Sequence, residues 1–173
     1  MPTSHFRKIP SIVGIADKLE NIRAVLDVGA GFGKYGVILR EHLDIRKGRL
    51  DRDKWLIQID AVEPSNVTLL TKAPYDNVYL EPIQDLLTSL GEYDLIIIAD
   101  VLEYMEKSIG LEVLLNLYHS HCRQGIAVSF APSKMRKFYP TQPEPKCTWH
   151  QNDFDRGFNR IEWKGTQLVW LFK

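Results

Sequence analysis

The segment Val25-Leu26-Asp27-Val28-Gly29-Ala30-Gly31-Phe32-Gly33-Lys34-Tyr35-Gly36 constrains the fold more than any other part of this chain. An apolar run ends in a turn with a glycine at every second place. Apolar residues spaced by three and four over residues 35–43 follow it, so the segment reads as a strand, a tight turn and a helix. The same alternation continues along the chain. Apolar runs at 24–28, 56–62, 78–80, 95–99 and 126–130 read as five central strands. Residues 35–43, 67–71, 83–90 and 109–121 read as one-faced helices between them. Strands alternating with helices imply a parallel sheet covered on both faces. The alternation ends in two β-rich runs, 158–163 and 167–172, joined by Lys164-Gly165, which form an antiparallel hairpin. Two stretches stand outside the pattern. Residues 46–54 are a charged insertion expected as a solvated loop, and 131–153, with four prolines, form a long loop at the carboxyl edge of the sheet.

At 173 residues the chain is expected to form one domain over 1–173 that buries about 70% of its unfolded surface. Lysine and arginine number 22 and the acids 22. A zero balance argues against a protein whose main task is to coat nucleic acid or an anionic membrane. No apolar run approaches the roughly 20 residues of a membrane span. Residues 1–10 carry His5, Arg7 and Lys8 without a signal-like apolar core, and the two cysteines, Cys122 and Cys147, are too few for a disulfide framework. The expected location is the cytoplasm, with both thiols reduced.

Two ligand templates fit the glycine turn. Gly31, Gly33 and Gly36 satisfy the GxGxxG of dinucleotide sites, and Gly29, Gly31 and Gly33 satisfy a GxGxG. Asp27 separates them. A carboxylate just ahead of the turn repels a pyrophosphate seated on the following helix and attracts the ammonium of an amino acid. S-adenosylmethionine (SAM) offers such an ammonium, a cationic sulfonium and no phosphate. The second strand ends Asp60-Ala61-Val62-Glu63-Pro64, which places Glu63 to accept hydrogen bonds from both hydroxyls of a ribose.

Taken together, residues 25–36, Val62-Glu63-Pro64 and the run from Tyr93 to Tyr104 resemble the first, second and fourth motifs of class I SAM-dependent methyltransferases in order and spacing. The closing hairpin resembles that family's sixth and seventh strands. The resemblance implies a Rossmann-like α/β fold with a seven-stranded sheet in the order 3-2-1-4-5-7-6 and SAM across the carboxyl ends of strands one, two and four. Carried over, Asp27, Gly29, Gly31 and Gly33 would hold the methionine part and Glu63 the ribose. Ile83 would pack on adenine and Gln84 or Asp85 would meet its amino group. Asp100 would sit beside the methionine carbons or the acceptor. Glu81-Pro82-Ile83-Gln84-Asp85 stands where family members often show Gly-Asp.

Methyl transfer from a sulfonium is an in-line displacement, so positioning supplies much of the acceleration. The acceptor side is expected to comprise Asp100, Tyr104 and His150. Tyr104 occupies the place where many small-molecule methyltransferases show a histidine, and no Asn-Pro-Pro-Tyr run follows the fourth strand. Lys134, Arg136 and Lys137 interleave with Phe138 and Tyr139 in the long loop, which suits an anionic or stacked small-molecule acceptor over nucleic acid. With no cap domain, the acceptor site is open to a large substrate or completed by a second subunit. No paired Cys spacing supports a metal site. The competing readings are a SAM-binding accessory subunit without catalysis and, disfavoured by Asp27, a nicotinamide-dependent oxidoreductase.

Overall fold

The computed structural model describes residues 6–65, 73–130, 144–165 and 168–173. The expected helix at 67–71 and most of the loop at 131–153, with Lys134, Arg136, Lys137, Phe138 and Tyr139, lie outside them. Seven strands form one sheet: β1 (Ala24–Val28), β2 (Gln58–Val62), β3 (Val78–Tyr79), β4 (Tyr93–Ala99), β5 (Cys122–Ser129), β6 (Arg160–Trp163) and β7 (Leu168–Phe172). Their order is β3-β2-β1-β4-β5-β7-β6, the first five parallel and β7 antiparallel to both β5 and β6. Val28 pairs with Val62 on one side and Ile98 on the other, so the carboxyl ends of β1, β2 and β4 finish level. The order reverses between β1 and β4, and a crevice opens there.

Period-two alternation sends neighbouring residues to opposite faces. Leu26, Val28, Ile96, Ile98, Ile126 and Val128 form one core with Val113 and Leu114 of α4 (Lys107–Asn116) and Leu117 and Tyr118 of the π-helical turn that continues it. Val25, Ile59, Ala61, Leu95, Ile97 and Ala127 form the other with Ile12, Ile15 and Ala16 of α1 (Ile9–Ala16) and Tyr35, Leu39 and Leu43 of α2 (Lys34–Leu43). Asp27, two residues beyond Val25, therefore faces the α1 and α2 side. Fully burying each aliphatic side chain contributes roughly 1.5–3 kcal/mol, which makes the two layers the main source of stability.

Several boundaries move. α3 is only Ile83–Leu86, against the expected 83–90; residues 87–89 continue as a turn in which Ser89 and Leu90 N–H donate to the Leu86 carbonyl. β5 begins four residues early, at Cys122, since its ladder with β4 starts at Tyr93. The sequence reading passed over α1 altogether. Its signal was present: Ile9, Ile12, Val13 and Ala16 follow helical spacing, with Pro10 in the first turn, where a missing N–H costs nothing.

The charged insertion is exposed, as expected of a solvated loop, and is tied down at its edges by charged side chains. Arg40, 2% exposed, donates to the Asp44 carboxylate (2.6 Å), to Asp76 (2.8 Å) and twice to the Pro74 carbonyl, while its guanidinium lies 4.1 Å from the Trp55 ring centre. Arg49 caps the same Asp44 (2.6 Å), and Arg52 donates to the carbonyls of Ala73 (2.6 Å) and Tyr75 (2.8 Å). Five charged side chains between 40 and 76 thus fix the approach to β3.

Candidate functional site at the carboxyl edge

The glycine turn is anchored to the strand beside it. Gly29 N–H and Ala30 N–H both donate to the Val62 carbonyl, at 2.7 and 3.2 Å, and Gly33 opens α2. Gly29, Gly31 and Gly33 all have positive φ, 71°, 56° and 83°. At Gly29 a side chain would also collide with Val101, whose Cγ2 lies 2.3 Å from where a Cβ would stand. Only glycine fits both demands.

Glu63, buried at the end of β2, accepts Gly31 N–H at 2.8 Å on one oxygen and Ser65 N–H at 3.1 Å on the other. A carboxylate has about four acceptor positions, so each oxygen keeps one for a ligand hydroxyl. A cavity of about 280 Å³ opens beside it. Its walls are Val28 and Gly29 from β1, Val62, Glu63 and Pro64 from β2, Pro82, Ile83 and Gln84 at the start of α3, and Ala99, Asp100, Val101, Tyr104 and Met105 after β4. Glu63, Ile83, Gln84, Gly29, Asp100 and Tyr104 are thereby gathered around one space. Ile83 is buried and Gln84 exposed. Gly31 and Gly33 do not line this cavity, and Asp85 stands exposed outside it.

Asp27 lies beneath the turn, 1% exposed. One of its oxygens accepts the Tyr75 hydroxyl at 2.7 Å, and the other, Oδ1, has no hydrogen-bond partner. Burial is the largest influence on its carboxyl and pushes it up to about 6, against the Tyr75 hydroxyl and Lys34, which favour the charge. Burial followed by the Asp27 charge holds the Tyr75 phenol well above its ordinary range. Tyr75 also accounts for Gly36, since a Cβ there would meet the ring at 2.3 Å. The third glycine of the GxGxxG reading therefore makes room for a tyrosine.

Asp100 turns the chain at the end of β4 with φ 59°, an uncommon conformation for a residue with a side chain. Its carboxylate pairs with the ammonium of Lys8 and accepts the Ser129 hydroxyl at 3.1 Å. Lys8, 7% exposed, also donates to the Phe130 carbonyl. The half-buried Lys34 faces Asp100 and Asp27, and burial lowers its basicity against their pull. Lys8 and Tyr75 escaped the sequence reading. The α1 periodicity could have drawn attention to the segment holding Lys8; nothing local marks Tyr75.

His150 belongs elsewhere. It is exposed, caps the short turn Gln151–Phe154, donates its N–H to Asp153 at 2.7 Å and does not line the cavity. The expected convergence of three side chains thus reduces to Asp100 and Tyr104. No helix among the described residues is long and apolar enough to cross a membrane.

No protein-family model matches the sequence, and no curated protein matches it. Solved structures do. Magnesium protoporphyrin IX methyltransferase (ChlM) from Synechocystis PCC 6803 with bound S-adenosylhomocysteine (SAH) is 16% identical with a TM-score of 0.63, over 100% of this chain and 90% of that one. The bifunctional kinase-methyltransferase WbdD is 15% identical with a TM-score of 0.65, over 96% and 39%. A SAM-dependent methyltransferase from Archaeoglobus fulgidus is 18% identical with a TM-score of 0.56, over 73% and 51%. The chain spans about half the length, or less, of these last two. At such identities the likeness is one of architecture, and the architecture is the class I SAM-dependent methyltransferase fold.

Proposed function

We propose that the chain binds SAM at the carboxyl edge and transfers its methyl group to a small-molecule acceptor. One observation carries the reading. The cavity at the level ends of β1, β2 and β4 has Glu63 on its wall with acceptor capacity left, and beside it the glycine turn covers a buried acid with an unpartnered oxygen. These are the groups that a ribose and an amino acid's ammonium need, and a pyrophosphate gains nothing from either.

Bound SAM supplies a methyl group on a cationic sulfur. In this reading Glu63 takes the two ribose hydroxyls and Ile83 offers an apolar face to adenine, with Gln84 at its edge. The glycine turn from Gly29 to Gly33 approaches the amino-acid part, and Asp27 takes its ammonium. Asp100 and Tyr104 border the acceptor side. Among the described lining residues Glu63, Asp100 and Tyr104 are the titratable groups, and Asp100 is tied to Lys8. The site therefore works by placing an acceptor that is already nucleophilic, and His150 serves as a turn cap. The neutral overall charge and the basic, aromatic residues of the long loop support a small, anionic acceptor over nucleic acid.

A second reading, a SAM-binding subunit without catalysis, is favoured by one observation: the carboxylate nearest the acceptor side is closed in an ion pair with Lys8. Calorimetric titration with SAM, SAH and NAD tests the binding, with the first two expected to bind and NAD not. Radiolabelled methyl transfer to a panel of small carboxylates, phenols and amines then separates enzyme from subunit; transfer supports the first, and none across a broad panel supports the second.

A further inference from the structure

Resting on the proposed SAM site, we infer that Tyr75 is a positioning residue that aims Asp27 at the ligand's ammonium. The observations run outward from the carboxylate. Asp27 Oδ2 accepts the Tyr75 hydroxyl at 2.7 Å, and Oδ1 is buried without a partner. The Tyr75 oxygen itself accepts Gly36 N–H at 3.2 Å. With that acceptance fixing the phenol's orientation, its proton goes to Asp27.

The tyrosine is in turn held rigidly. Arg40 donates to the carbonyl of Pro74 through Nε (3.1 Å) and Nη2 (2.9 Å), and Arg52 donates to the carbonyl of Tyr75 itself. Arg40 also grips Asp76, whose N–H donates to the Ile59 carbonyl (2.7 Å). The ring is buried and fills the space that Gly36 leaves. A backbone clamped on three consecutive residues fixes the phenol, and the phenol fixes the carboxylate; a group held this way pays little ordering entropy when a ligand arrives.

Such a carboxylate needs its donor. Burial opposes the Asp27 charge, and the groups facing it are Tyr75, Gly36 N–H and, at longer range, Lys34 of α2 in favour and Glu63 after β2 against. Removal of the phenol hydroxyl takes away the largest of the favourable contacts and leaves Lys34 and Gly36 N–H against burial and Glu63, so the carboxyl moves up.

The test is Tyr75→Phe, which keeps the ring. Titrations with SAH and with methylthioadenosine, the same nucleoside without the amino acid, are run from pH 5 to pH 8. Wild-type affinity for SAH should rise with pH as Asp27 loses its proton and then level off, while methylthioadenosine stays flat. In the variant the rise should move up by about one pH unit, with SAH about fivefold weaker at pH 6 and methylthioadenosine within twofold of wild type. Placed on an Asp27→Asn background, Tyr75→Phe should change SAH affinity by less than twofold. An unmoved pH profile overturns the inference, as does equal weakening of both ligands. A wild-type protein that binds neither ligand overturns the SAM reading itself, an outcome distinct from either.

Discussion

Glu63 holds the glycine turn through Gly31 N–H and the following bend through Ser65 N–H, and it keeps acceptor capacity toward the cavity. Truncation should therefore loosen the turn as well as remove a ribose acceptor. Glu63→Ala should cost on the order of 1.5–3 kcal/mol in SAH binding by calorimetry, and an unchanged dissociation constant would take Glu63 out of the site. Asp27 makes a prediction about stability. Its folded-state value of about 6 lies above the ordinary 3.8, so between those values the folded chain binds more protons than the unfolded one. Stability from this group is then greatest in acid and falls as pH rises through that window. Asp27→Asn removes the cost, which should raise stability at pH 7 by on the order of 2 kcal/mol, or about 4–8 °C in Tm, with little gain at pH 4. A lower Tm at pH 7 would contradict this. Asp27 and Glu63 were legible because each ends a strand, where position along the chain already fixes position in the fold. Tyr75 was not: its contact spans 48 residues, and no local pattern links the two ends.

Among the elements, α1 matters for what precedes it. Ile12, Ile15 and Ala16 dock it on the sheet, and Lys8 just ahead of it reaches Asp100 across 92 residues of sequence. Lys8→Met should remove the ammonium paired with the buried Asp100 and cost about 3 kcal/mol in chemical denaturation. Lys8→Met with Asp100→Asn should recover much of that loss. If the single variant melted like wild type, the pair would carry no weight in holding the site. The strands were readable from their apolar runs, since a doubly covered sheet buries both faces of each strand. Helix ends were less so: α3 stops after one turn although apolar residues continue, because Leu90 reaches the core from the following turn as well as a helix would deliver it. The charged run at 46–54 looked like a loop made for water. It is exposed, and Arg52 in addition reaches the carbonyls of Ala73 and Tyr75, which only the tertiary fold brings close.

At the scale of the molecule, the strand order is the one the family resemblance implies: its reversal between β1 and β4 leaves a crevice, and the level ends of β1, β2 and β4 place it beside the glycine turn. That much could be inferred from the alternation and the family resemblance. The cavity's chemistry could not be read as fully, because its acceptor side depends on where His150, Lys8 and Tyr104 come to lie after folding. The central claim is that this crevice takes SAM in one orientation. A crystal structure of the protein with SAH tests it most directly. The account predicts both ribose hydroxyls within hydrogen-bond distance of Glu63, adenine against Ile83 and the amino group on Asp27 Oδ1. A nucleoside seated away from Glu63, or an amino group directed away from the glycine turn, would contradict it.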